Sequence, residues 1–172
     1  MPIFNLHPTT REAVADINLG IRVDRTDLAS VVWAAGPVNL FTITGGQILM
    51  TLMRQEVTVA AVGNQAGTIQ YSITTAAPYA VATVTFTGVS AVVTNAPIGN
   101  TITVVGTALN TVPLLQATIG PQLIAMAAPL IMTPGIISNA NTGAAVTGLA
   151  TCAIVSSIWY IPLEDGARVV AS

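Results

Sequence analysis

Between Val57 and Leu163 the chain contains no Asp, Glu, Lys, Arg or His. Any fold it adopts must finish that surface with neutral hydroxyl and amide groups, or have it covered by something else. A freely soluble domain draws about a quarter of its residues from the four charged types, whereas here the share is 7%. The hydrophobic share of 52% invites comparison with membrane proteins. A spanning helix, however, needs about 18 consecutive apolar residues. The nearest candidate, 123–132, contains Pro129 and is bounded by Pro121 and Pro134. No membrane partner is expected, and the segment Met1 to His7 lacks the basic start and apolar run of a secretory signal.

The uncharged stretch carries its own fold signal. Ile69-Gln70-Tyr71-Ser72-Ile73-Thr74, Thr83-Val84-Thr85-Phe86-Thr87 and Thr101-Ile102-Thr103-Val104 alternate apolar and hydroxyl side chains with period two. That is the pattern of antiparallel strands packed on a core on one side. Asn39 to Thr44, Gly45-Gly46, and Gln47 to Met53 have the form strand, tight turn, strand, because adjacent glycines permit the positive φ angles of a hairpin. Turn chemistry recurs at Gly63-Asn64, Ala77-Pro78, Thr87-Gly88, 97–100 and 140–143. Pro113, Pro121, Pro129 and Pro134 leave Leu109 to Gly135 as irregular strands and loops. Ile154 to Ile161 and Arg168 to Val170 read as two closing strands around a turn at Pro162 to Gly166. These signals predict an all-β protein, an antiparallel β-sandwich or jelly-roll-like domain over 31–172, preceded by an extended N-terminal arm over 1–30.

The arm holds most of the charge. Thr9 to Asp16 has the form of a short capped helix, and Ile21 to Asp27 alternates apolar and charged residues as an edge strand or extended arm does. Asp24-Arg25-Thr26-Asp27 reads as a turn with local ion pairing. Charges of both signs at Arg11, Glu12, Arg22, Asp24, Arg25 and Asp27 suit contact with a neighbouring subunit. Neutral Thr- and Val-rich strands without charged gatekeepers expose edges that template aggregation. Symmetric homo-oligomerisation closes such edges.

Chemistry is sparse. His7 is the only histidine, and no His/Cys set has metal-ligand spacing. Cys152, the only cysteine, sits in Ala150 to Ile154 as a buried thiol. Asp24, Asp27, Glu164 and Asp165 form no calcium loop, and Glu164-Asp165 occupy a solvated turn. Gly45-Gly46 lacks the Lys-Ser/Thr of a phosphate loop. With a net charge of −2, no Lys and dispersed Arg, nucleic acid is not an expected partner. Trp33, Tyr71, Tyr79, Trp159 and Tyr160 are the aromatics available for a carbohydrate-stacking surface. Trp159 and Tyr160, adjacent on a strand, should point opposite ways, one into the core and one capping an edge. No catalytic residue, metal or cofactor is expected.

Leu40 to Gly46, and Gly143 to Ala171 with its Trp159-Tyr160-Ile161-Pro162-Leu163-Glu164-Asp165-Gly166-Ala167, resemble small structural proteins of tailed-bacteriophage virions. The resemblance implies a non-enzymatic decoration or cement protein on the outer capsid surface, a β-sandwich homotrimer bound to the major capsid protein where capsomers meet. It implies that Gly45 and Gly46 make a hairpin turn, and that Gly166 belongs to the turn before the closing strand. The alternative is a receptor- or glycan-binding module of a head fibre, tail fibre or spike, or a tail or baseplate component. Its signature is a cluster of aromatic and polar groups at one loop end.

Overall fold

The computed structural model describes residues 19–28, 36–60, 68–88, 98–104, 113–116, 128–141 and 152–172. Every regular element among them is a strand: β1 (Ile21–Leu28), β2 (Gly36–Thr44), β3 (Ile48–Val59), β4 (Ile69–Thr75), β5 (Thr83–Thr85), β6 (Thr101–Thr103), β7 (Leu114–Gln116), β8 (Leu130–Met132), β9 (Gly135–Asn141), β10 (Ala153–Pro162) and β11 (Arg168–Ala171). They form two antiparallel sheets, the sandwich that the alternating pattern predicts. One sheet has the order β1-β10-β3-β6-β7, with β8 paired to the other end of β3; the second has the order β11-β2-β9-β4-β5.

The Gly45-Gly46 hairpin is corrected by this topology. β2 and β3 lie in different sheets and do not pair. The glycines instead turn a corner, one of three stacked side by side. β2 passes into β3 at Gly45-Gly46, β8 into β9 at Thr133-Pro134, and β10 into β11 at 163–167. Neighbour relations continue around the bend: Ile43 pairs Val169 and Gly135 in one sheet, while Ile48 pairs Pro162 and Met132 in the other. Strands that switch sheets in this way make the corners of a closed sandwich.

Phe41, Ile43, Tyr71, Ile73 and Ile137 meet Met53, Val57, Ile102, Ile154 and Ile158 in the core. Each such burial contributes roughly 1.5–3 kcal/mol before entropy is counted. Three local readings change. β6 is buried on both faces, Thr101 and Thr103 included. Trp159 and Tyr160 stand on opposite faces of β10 yet are both buried, because Arg22 and Arg54 from the flanking strands cover the outward Trp159 ring. Ala140 and Asn141, read as a turn, belong to β9, a central strand of the second sheet. The charged run 21–28 is the edge strand β1, paired along its length with β10, so the sandwich includes residues before 31. The helix expected over Thr9 to Asp16, and Gly63-Asn64, lie outside the described residues.

The corner tolerates little. Gly45 has φ +79°, and a Cβ there would overlap the Gly166 carbonyl oxygen. Gly166 has φ +80°, but a Cβ there meets nothing closer than 4.0 Å. Gly45→Ala is expected to cost about 2–4 kcal/mol through strain and overlap together. Gly166→Ala should cost about 1 kcal/mol from the backbone conformation alone. Denaturant unfolding of the two variants checks that order, and equal losses would contradict the corner geometry.

Candidate functional site

β1 uses its charges inside the molecule. Register and alternation place Val23, Arg25 and Asp27 on one face with Ile158, Ser156 and Ile154, and Arg22 and Asp24 on the other with Trp159 and Ser157. The Arg25 guanidinium grips Asp27 with Nε to Oδ2 at 2.6 Å and Nη2 to Oδ1 at 3.1 Å. It also donates to the backbone carbonyl of Asn39 in β2. The pair therefore points inward at the sandwich edge and ties the two sheets together. Inward charges on an edge strand also discourage pairing with foreign strands.

On the outer face, Arg22 pairs with Asp24 at 2.8 Å and Arg54 with Glu56 at 3.3 Å. The two guanidinium carbons lie 5.0 and 5.4 Å from the Trp159 ring centroid, one from each strand flanking β10. This stripe is neutral overall and shields a large aromatic side chain by cation–π contact. Arg22, Asp24, Arg25 and Asp27 are thus brought together on one strand, each paired within the chain. Arg11 and Glu12 lie outside the described residues, as do His7 and Trp33.

Two buried groups titrate abnormally. Burial pushes the Tyr71 phenol far above its ordinary value near 10 and raises the Cys152 thiol. Tyr71 is fully buried, and its hydroxyl has no hydrogen-bond partner among the described residues. Cys152 is 0% exposed, which makes it a packing residue rather than an accessible nucleophile. Among the described residues, no group of three His, Cys, Asp or Glu is placed to hold a metal ion. The aromatics do not share a surface: Tyr71, Trp159 and Tyr160 are buried, and Tyr79 alone of the described four lines an open cleft.

Two concavities are formed by described residues. A cleft of about 380 Å³ opens at the corner, walled by Thr44, Gly45, Gly46, Pro78, Tyr79 and Glu164. A second, of about 230 Å³, runs between edge strands β5 and β8 and is lined by Ile73, Val84, Phe86, Leu130, Ile131 and Met132. Ile131 is 64% exposed, and Val81 nearby in sequence is 76% exposed. Sequence alternation marks Val84 as core, but β5 is a short edge and leaves it exposed. The cleft is invisible in the sequence, because its walls come from four separate segments. The usable signal was the return of charge at Glu164, Asp165 and Arg168 after more than a hundred neutral positions.

Two predictions follow from the buried groups. Asp27→Asn leaves a half-buried guanidinium with weakened partners and should cost about 1–3 kcal/mol. Asp24→Asn, at a more exposed pair, should change stability by no more than about 0.5 kcal/mol; chemical denaturation at fixed pH separates the two. Tyr71→Phe removes an unpaired buried hydroxyl and is expected to be neutral or stabilising by about 1 kcal/mol. Because the folded phenol is raised, the unfolded chain ionises first. The parent protein's Tyr71 contribution is intact below about pH 10 and lost as pH rises beyond it. Tyr71→Phe should lack that alkaline slope in unfolding curves, and an unchanged slope would contradict the assignment.

Compared with known protein families, curated proteins and solved structures, the chain finds no match.

Proposed function

We propose that this chain is a non-enzymatic structural protein of a phage virion, a decoration or cement protein that works as a homotrimer on the capsid. The observation that carries the reading is the uncharged apolar groove between β5 and β8, with Val84 and Ile131 exposed at its rim. An exposed apolar patch set in a neutral surface marks a protein contact. Here it lies where, among the described residues, β5 and β8 are each paired on one side only, the part of a sandwich that most needs covering. The β1 edge is already blunted by Arg25 and Asp27. The likeness of residues 40–46 and 143–171 to phage structural proteins supplies the setting.

Mechanistically, each subunit buries the groove against a neighbouring copy. The trimer then presents several equivalent contacts to the shell, and multiplicity turns weak contacts into avidity. Light scattering coupled to size-exclusion chromatography should give a trimer, and Ile131→Glu should give a folded monomer. Added to bare capsids, the parent protein should raise their thermal transition. A monodisperse parent monomer that leaves capsid stability unchanged overturns the proposal.

A further inference from the structure

The corner cleft has the makings of a ligand site that the structural role does not require. Its volume of about 380 Å³ falls in the range of small-molecule pockets, roughly 300–1,000 Å³. One wall is the loop that carries Tyr79. That loop is fixed at several points: Ala76 N–H donates to the Pro134 carbonyl at 2.9 Å, and Tyr79 N–H to the Ala76 carbonyl at 3.1 Å. Thr75 Oγ accepts from Ala82 N–H at 3.0 Å and donates to the Ala80 carbonyl. The main chain that carries Tyr79 is therefore fixed by hydrogen bonds rather than left as a free tip, and preorganisation lowers the cost of binding.

The opposite wall carries Glu164, whose carboxylate makes no ion pair among the described residues. It stands over the corner backbone, so close that a Cβ on Gly46 would lie 2.7 Å from the Glu164 Cβ. Thr44 adds a hydroxyl that accepts from Arg168 Nε at 3.3 Å. Glu164, Asp165 and Arg168 are the only ionisable residues after Glu56 other than tyrosines and Cys152. One of them lines this cleft, and another touches its wall.

We propose that the corner cleft binds a saccharide, with Tyr79 as the stacking wall and Glu164 as the acceptor for sugar hydroxyls. A sugar ring offers an apolar C–H face and a rim of hydroxyls that both donate and accept. The cleft matches this with an aromatic wall, a carboxylate acceptor, and the Thr44 hydroxyl backed by a guanidinium. An anion would be repelled by Glu164 and Asp165. A bare cation finds a single carboxylate among the lining residues, too few oxygen ligands from side chains to hold it.

Screening the purified full chain on a glycan array, then titrating the best-bound saccharide into ¹⁵N-labelled protein, tests the site. Amide shifts should concentrate at Thr44 to Gly46, Ala76 to Tyr79 and Glu164. Tyr79→Ala and Glu164→Gln should each weaken binding about tenfold, with unfolding curves close to the parent's. Glu164→Gln preserves shape and exposure, so it remains informative if Tyr79→Ala disturbs the loop. Failure of every saccharide to bind, shifts centred elsewhere, or unchanged affinity in Glu164→Gln overturns the proposal. Shifts at Glu164 with calcium alone, and none with any glycan, would overturn it too.

Discussion

The sandwich depends on the place where three adjacent strands fold over together. At that corner the chain passes between sheets at Gly45-Gly46, at Thr133-Pro134 and after Pro162, and each crossing lies against the next. The middle crossing is β2 to β3, and its Gly45 presses on the Gly166 carbonyl of the β10 to β11 crossing. Because β2 keeps β11 and β9 as neighbours while β3 keeps β10 and β8, the ladder on one side of the bend fixes the ladder on the other. A slip of one residue in either sheet would invert the faces of both. The shared core of Phe41, Ile43, Ile137, Met53 and Ile158 follows from that registration.

Distant from the corner, Arg25 joins the two sheets, reaching from β1 to the β2 backbone while holding Asp27. Within the first sheet, Gln55 of β3 donates to its cross-strand partner Ser156 of β10 at 3.1 Å. The charges among the described residues thus lie on one edge, on the Trp159 cover and at the corner. None of them belongs to β5 or β8. A neutral edge with exposed Val84 and Ile131 is a liability in a monomer and an asset in an assembly, since contact there costs no ion desolvation.

Much of the fold was legible because period-two alternation is a local signal. The strands around Ile69, Thr83, Thr101, Ile154 and Arg168 all appear where the pattern puts them. Pairing partners are not local, and a Gly-Gly step reads alike whether it closes a hairpin or turns a corner. β9 escaped notice because Gly135, Ser138, Asn139 and Asn141 have poor strand propensity. It forms through partners on both sides, with Asn139 fully buried. Trp159 and Tyr160 keep the alternation along β10. What the sequence could not show is that the outward Trp159 ring is buried too, because Arg22 and Arg54 from the two flanking strands lie over it. At the candidate site, Gly45, Gly46 and Gly166 were readable as turn residues, and all three have positive φ. That Tyr79 would line one cleft with Gly45 and Gly46 required the tertiary structure, since the four lining segments are far apart in sequence.

The apolar groove and the corner cleft share a single partition. Thr75 and Thr133 line the groove, while Ala76 and Pro134, the next residue of each segment, line the cleft. The Ala76 N–H to Pro134 carbonyl bond closes the partition, and Thr75 anchors the loop behind it through Ala80 and Ala82. A partner seated in the groove therefore packs on one side of a backbone wall whose other side carries Tyr79. Since that wall is made of hydrogen-bonded main chain rather than mobile side chains, filling the groove leaves the cleft open and its aromatic wall in place. The proposed trimer contact and the proposed saccharide site would then draw on different faces of the same bonds, so that neither requires the other to be empty.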